Sequence, residues 1–271
     1  MFASQLGEEA GFKIQAVSLK KVPQNLADIF RRNFKDHLPE NWHPVGALVR
    51  NVFPKNHELL YGAQIIGTAS DPVTLEQIEK DIRARYLDSE DLLQSFADMI
   101  VFDAWIGNMD RHHENWAIYQ RNVVVQFSLF KLTKEQRELI KHRRGFTPLF
   151  DHGSSLIFEL DEKQVKYYLK HLDQFTDVYI LGKNYALILG SDGERLNIYQ
   201  VIENQIKSDK KWAKRFRNSI ERIVTVNSLT VARLILQMPT AGELDYSQDR
   251  KDLLYYSLEK RKAILREHLS R

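Results

Sequence analysis

The stretch Asp110-Arg111-His112-His113-Glu114-Asn115 and, further along, Asp151-His152-Gly153 gather the residue types with the most chemistry in this chain. An acid, an amide five positions on and a second acid before a glycine form the set that phosphoryl transfer uses to hold a metal-bound polyphosphate beside an attacking hydroxyl. Such transfer asks little covalent work of a protein and much positioning. Asp110 would accept or orient the hydroxyl proton. Asn115, returning along the same tight loop, would offer an uncharged oxygen to magnesium, and Asp151 would hold the metal more strongly. Magnesium prefers hard oxygen ligands and few protein carboxylates beside phosphates, so one Asp with one Asn suits it. Gly153 is expected to take φ > 0 and turn the backbone under the metal.

Positioning these groups falls to the flanking elements. Residues 89–107 carry apolar Leu92, Leu93, Phe96, Met99, Ile100 and Trp105 among good helix formers, which predicts a mostly buried helix ending at Gly107-Asn108. Trp116-Ala117-Ile118-Tyr119 is short and β-prone, and Phe146 to Phe150 is an apolar run that predicts a strand ending at Asp151. The order is helix, polar loop, strand, excursion, strand, acid.

The segment Phe102 to Trp116, together with Phe146-Thr147-Pro148-Leu149-Phe150-Asp151-His152-Gly153-Ser154-Ser155-Leu156, resembles the C-terminal kinase domain of the HipA family. Leu60-Tyr61-Gly62-Ala63 resembles a segment upstream of the catalytic loop in the same family, so the likeness covers residues 1–160. The Asp-Arg-His-x-x-Asn loop is also similar to that of phosphatidylinositol kinases. By this resemblance Asp110 matches the catalytic aspartate, and Asn115 and Asp151 match the metal-binding pair that holds ATP and Mg2+. His112 takes the place of an active-site residue orienting phosphate or the loop.

The resemblance implies an α+β, protein-kinase-like fold with a truncated or minimal β-containing N-terminal lobe and a mainly α-helical C-terminal lobe. Residues 1–70 would form the partial lobe and hinge, and residues 71–271 the helical lobe with catalytic loop 108–116 and metal-binding residues 151–153. It further implies a bacterial cytoplasmic serine/threonine kinase, or one delivered to another compartment. The protein substrate would be of the aminoacyl-tRNA synthetase kind, and the chain would be the toxin of a pair with an antitoxin protein as partner.

Against the kinase pattern, no Gly-rich phosphate loop is visible. Phe2 to Gly11 reads as a short helix entering a strand Phe12 to Leu19, which looks like the family's lobe already past its ATP lysine and favours missing upstream strands. Glu8 and Glu9 read as solvated, and Lys13, Lys20 and Lys21 as surface lysines. Between Asn115 and Asp151 lies a long excursion with a β-prone run, Val123 to Phe127, and a basic helical stretch, Thr133 to Arg144, opening in capping-box spacing at Thr133 and Gln136. It reads as a solvated insertion. Ser154 and Ser155 read as loop serines where an activation segment would begin. Zinc is disfavoured because the chain has no cysteine and no HExxH pair; His113 reads as exposed, and His152 as a packing or locally bonded residue.

A chain of 271 residues with 43% hydrophobic content can bury a sizeable core. A formal charge of +3 is too small to argue for nucleic acid, and no apolar run is long enough to span a bilayer. Beyond residue 160, helices are predicted over Glu162 to Leu172, Asn197 to Ile206 and Asp249 to Leu269, with a β-rich, Gly-interrupted stretch from Val178 to Leu189. Lys210 to Arg217 is basic with aromatics between, but Trp212, Phe216, Ile220 and Ile223 fall on one helical stripe, the pattern of a core face with solvated lysines opposite. The functional readings are an ATP-dependent protein kinase, a kinase-fold binding module without turnover, and a kinase for a lipid or small-molecule hydroxyl.

Overall fold

The computed structural model describes residues 1–21, 23–33, 45–49, 57–67, 73–86, 89–120, 144–182, 185–189, 193–238 and 246–270. The Val123–Phe127 run, the basic stretch before Arg144 and the side chains of Lys20 and Lys21 lie outside the described residues.

Elements appear where apolar periodicity and end signals agree. In the first part of the chain these are α1 (Phe2–Glu9), β1 (Val17–Lys21), α2 (Gln24–Asn33), β2 (Val45–Val49), β3 (Glu58–Tyr61), α3 (Gly62–Ile66), β4 (Val73–Thr74), α4 (Leu75–Arg85), α5 (Glu90–Ile106), β5 (Ala117–Gln120) and β6 (Arg144–Phe146). The second part holds α6 (Glu162–Lys170), a one-turn α7 (Leu172–Gln174) running into a π-helical segment (Phe175–Leu181), β7 (Tyr185–Leu189), β8 (Arg195–Asn197), α8 (Ile198–Ser208), α9 (Lys210–Val224), α10 (Ser228–Leu236) and α11 (Gln248–Glu267). Most helix starts carry a side-chain cap that satisfies otherwise orphaned amides: Asp161 on Gln164, Asn197 on Tyr199, Asp209 on Lys211 and Trp212, Asn227 on Leu229, and Ser247 on Arg250.

Three small sheets position the loops. β1 and β2 pair antiparallel; β3, β5 and β6 form an antiparallel sheet in that order; β7 lies between β4, to which it is parallel, and β8. The core is organised on α5, whose residues from Met99 to Ile106 are all buried. Phe96 sends an edge toward Trp116 at 5.1 Å, and Trp116 stacks on Phe146 at 5.8 Å, fixing the central sheet to the helix. Trp212, Phe216, Ile220 and Ile223 of α9 are buried, as are Leu253, Leu254, Leu258 and Leu265 of α11. Lys210, Lys211 and Lys214 of α9 are therefore on the outer side of a core helix, whereas Arg215 is buried and paired with Glu90.

Helix α11 also carries three buried cations, each set at the carbonyl end of another helix. Lys251 donates to Met238 beyond α10, Lys262 donates to Val226 beyond α9 at 3.2 Å, and Arg261 donates to Ala104 in the last turn of α5 at 3.5 Å. Unsatisfied carbonyls and the negative end of the helix dipole favour a cation there.

Three strand and helix expectations need correction. The run from Phe12 forms no strand before Val17, apart from a single bridge from Ile14 to Leu149; Phe12 turns into the core, and the Ser4 hydroxyl holds the Gln15 carbonyl at 2.8 Å. β6 ends at Phe146, because Pro148 has no amide to donate to a ladder. Val178 to Leu181 is helical, with Phe175 and Tyr179 stacked at 5.0 Å and Phe175, Tyr179 and Ile180 buried; tertiary packing overrides the β propensity, and the strand begins at Tyr185.

Candidate active site

The loop after α5 is built from inside out. Gly107 ends the helix at φ 69, a left-handed conformation that glycine takes at little cost. Asn108 then donates to the Asp103 carboxylate at 3.0 Å and accepts the Asp110 amide at 3.3 Å, tying the loop's start to the helix it left.

The main fastener is Arg111. Its guanidinium meets both carboxylate oxygens of buried Asp103, at 2.7 and 2.9 Å. One terminal nitrogen donates to the carbonyls of Asn115 and Phe150, each at 2.6 Å, and the other lies 3.2 Å from Nδ1 of His152. A planar fork of five donors suits this task. Because two carbonyls share one nitrogen, the Asp110–Asn115 loop and the segment entering Asp151 are held against each other, although 35 residues separate Asn115 from Phe150. Met109 adds a bond to the Ser154 carbonyl at 3.3 Å, and Leu156 one to Ile106 at 2.9 Å.

His152 presents its ring edge to Phe102 at 5.4 Å. The guanidinium can only donate, so Nδ1 accepts and the imidazole is neutral with its proton on Nε2. Burial, then the adjacent Arg111 charge, pushes its pKa down to about 4.

Of the four residues singled out for chemistry, two are exposed, one is half-buried and one is buried. The Asp110 and Asp151 carboxylates are exposed and have no hydrogen-bond or salt-bridge partner among the described residues. Asn115 is 6% exposed and donates its Nδ2 to the Asp110 carbonyl at 2.7 Å, leaving Oδ1 with no protein donor. His112 is half-buried, and its Nδ1 accepts the Glu114 amide at 3.2 Å. Two carboxylates and one amide oxygen without protein partners are hard, oxygen-only donors of the kind magnesium takes beside phosphate. Among the described residues no cluster of three or more His, Cys, Asp or Glu is arranged to hold a metal by itself.

Two local expectations are overturned. Gly153 does not take positive φ; Asp151 itself does, at 54°, which a short polar side chain tolerates better than most. His113 is 5% exposed rather than solvated, because the Ala63 amide binds its carbonyl at 3.0 Å and the ring lines a small cavity of about 30 Å³ behind the loop with Asp103, Asn108 and Arg111. Ser155 is buried, its hydroxyl donating to the His152 carbonyl at 2.6 Å. Sequence reasoning missed Arg111 and Asp103 as a unit. The available signal was an aspartate between Phe102 and Ala104 in an otherwise apolar helix, since a charge there requires a partner.

Elements and site together define an α+β fold of the HipA-like kinase type. The proinflammatory kinase CtkA of Helicobacter pylori superposes with a TM-score of 0.72 at 18% identity, covering 100% of this chain and 84% of its own. HipA of Shewanella oneidensis, solved with HipB and operator DNA as a toxin–antitoxin system, superposes with a TM-score of 0.54 at 10% identity, covering 99% of this chain and 55% of its own. No protein-family profile and no curated protein match the sequence. At these identities the likeness shows the fold.

Proposed function

We propose that this chain is an ATP-dependent serine/threonine protein kinase of HipA type, divided at about residue 70 into a β-containing lobe and a helical lobe. The observation that carries the reading is the pair of exposed, unpartnered carboxylates, Asp110 and Asp151, on backbones stitched together by one buried guanidinium. Magnesium-bound ATP supplies the electrophilic phosphorus when bound. Asp110 would accept a hydrogen bond from the incoming hydroxyl, align it and take its proton as the oxygen bonds to the γ-phosphorus and the bond from that phosphorus to the bridging oxygen breaks, releasing ADP. Asn115 Oδ1 and the Asp151 carboxylate hold the metal, and His112 orients a phosphate oxygen or the loop. The acceptor hydroxyl belongs to a protein, with an antitoxin as a partner by resemblance.

Asp110→Ala should lower phosphoryl transfer by about 100-fold or more while leaving the circular dichroism spectrum unchanged; turnover near the wild-type rate would remove Asp110 from its role. Asp151→Asn should weaken ATP binding only when magnesium is present. Radiolabelled ATP added to a bacterial lysate should label protein, and label confined to the lipid extract would transfer the proposal to a lipid hydroxyl.

A further inference from the structure

A second cavity, of about 360 Å³, opens beside the first half of α5. None of Asp110, His112, Asn115 or Asp151 lines it. Its walls come from the α1–β1 connection, the first half of α5, α9 and residues 146–149, so it exists only in the folded chain.

The lining has a defined chemistry. Phe146 and Leu149 supply an apolar wall, and Thr147, only 2% exposed, closes it with its hydroxyl sealed away from the cavity. Arg222 is already committed, donating to Asp98 at 2.8 Å and lying 4.0 Å over the Phe12 ring, so this ion pair forms a neutral base. At the rim Lys13 and Asp91 are exposed, and neither side chain has a partner among the described residues. A lone ammonium and a lone carboxylate on one rim match a carboxylate and an ammonium in one small molecule.

We propose that this cavity binds a small zwitterion of the amino-acid or dipeptide class. Asp91 takes its ammonium, Lys13 its carboxylate, and Phe146 and Leu149 its apolar side chain. The volume lies within the range of ligand pockets and accommodates a dipeptide. The cavity also touches a connection between the start of the chain and the second acid: Leu149 donates to Lys13 at 2.8 Å and accepts from Gln15 at 2.9 Å, two residues before Asp151. A molecule bridging Lys13 and Leu149 therefore restrains the backbone that carries Asp151. This second half deepens the proposed function, because it makes occupancy a regulator of the same site; binding itself does not depend on that function.

Calorimetric titration of the full chain with each standard amino acid and with Gly-Leu and Leu-Thr dipeptides tests the site. At least one should bind with a Kd tighter than about 1 mM, and Asp91→Asn and Lys13→Gln should each weaken it by about 10-fold or more. Both residues are exposed, and unchanged thermal unfolding verifies that the variants fold. No saturable binding by any probe, or equal binding by wild type and both variants, overturns the site. Amide hydrogen exchange gives the coupling without requiring activity: the bound ligand should slow exchange between Leu149 and Gly153. Binding without that protection refutes the regulation and leaves the site, whereas failure of ATP to bind in a parallel titration refutes the kinase reading, and the regulatory half with it, and leaves the zwitterion site standing on its own measurement.

Discussion

Arg111 shows how much of the site rests on a residue with no chemical step of its own. Its charge is matched by Asp103, and both are removed from water, the situation in which loss of one partner costs more than the pair contributes. Arg111→Met should therefore lower stability by roughly 3–5 kcal/mol, and Asp103→Asn by less, because an amide retains one acceptor for the guanidinium. Denaturant unfolding measures both, and a loss below about 1 kcal/mol for Arg111→Met would mean that the carbonyls of Asn115 and Phe150 are held by other means. His152 adds a pH dependence. Its pKa is near 6.5 unfolded and about 4 folded, so the unfolded chain binds the extra proton between these values. Stability is full above about pH 6.5 and declines as pH falls toward 4, by about 2 kcal/mol after allowance for partial exposure. His152→Asn, which keeps an acceptor toward Arg111, should flatten that decline; an unchanged slope would assign it to other groups.

At the scale of elements, close approach matters more than propensity. Gly62 begins α3 directly against the indole of Trp116, where an added Cβ would lie 2.2 Å from a ring carbon. Its amide also donates to the Trp116 carbonyl at 3.0 Å, so the backbone cannot retreat without losing a bond. Gly62→Ala should displace Trp116 from Phe146 and destabilise by roughly 1–3 kcal/mol, visible in tryptophan fluorescence and in the unfolding midpoint. An alanine variant with wild-type stability would show that β5 can shift as a unit. Gly62 belongs to the Leu-Tyr-Gly-Ala segment noted in the sequence, and the need for glycine there is steric, since its φ is not positive.

For the whole molecule, α11 is the common support. It packs against α5, α6, α9 and α10 and sends its buried cations to the ends of three of them. Arg261 also lies against Gly107, where an added Cβ would come within 2.7 Å of the guanidinium, and its nitrogen donates to the Tyr199 hydroxyl at 3.1 Å. Arg261→Leu removes the second bond to each of that hydroxyl and the Ala104 carbonyl, which retain their bond to each other at 2.9 Å, and leaves the cation site at the base of the Asp110 loop empty. It should cost about 2–4 kcal/mol and lower the midpoint of a single cooperative transition followed by far-ultraviolet dichroism and tryptophan fluorescence alike. Separate transitions by the two probes would refute α11 as the shared support.

What the sequence settled by itself was local. The helix from Glu90 to Ile106, its glycine stop and the core stripe of α9 all follow from neighbours within one or two turns, where side-chain and backbone geometry is fixed by spacing. The order of acid, amide and acid was legible for the same reason. Only the tertiary structure could set Asn115 beside Phe150, turn Asp151 rather than Gly153 to positive φ, bury His113, and hold Val178 to Leu181 helical against their β propensity. Each of these depends on groups far apart in the chain, and a buried charge such as Arg111 states that partners are required without stating which ones the fold will bring.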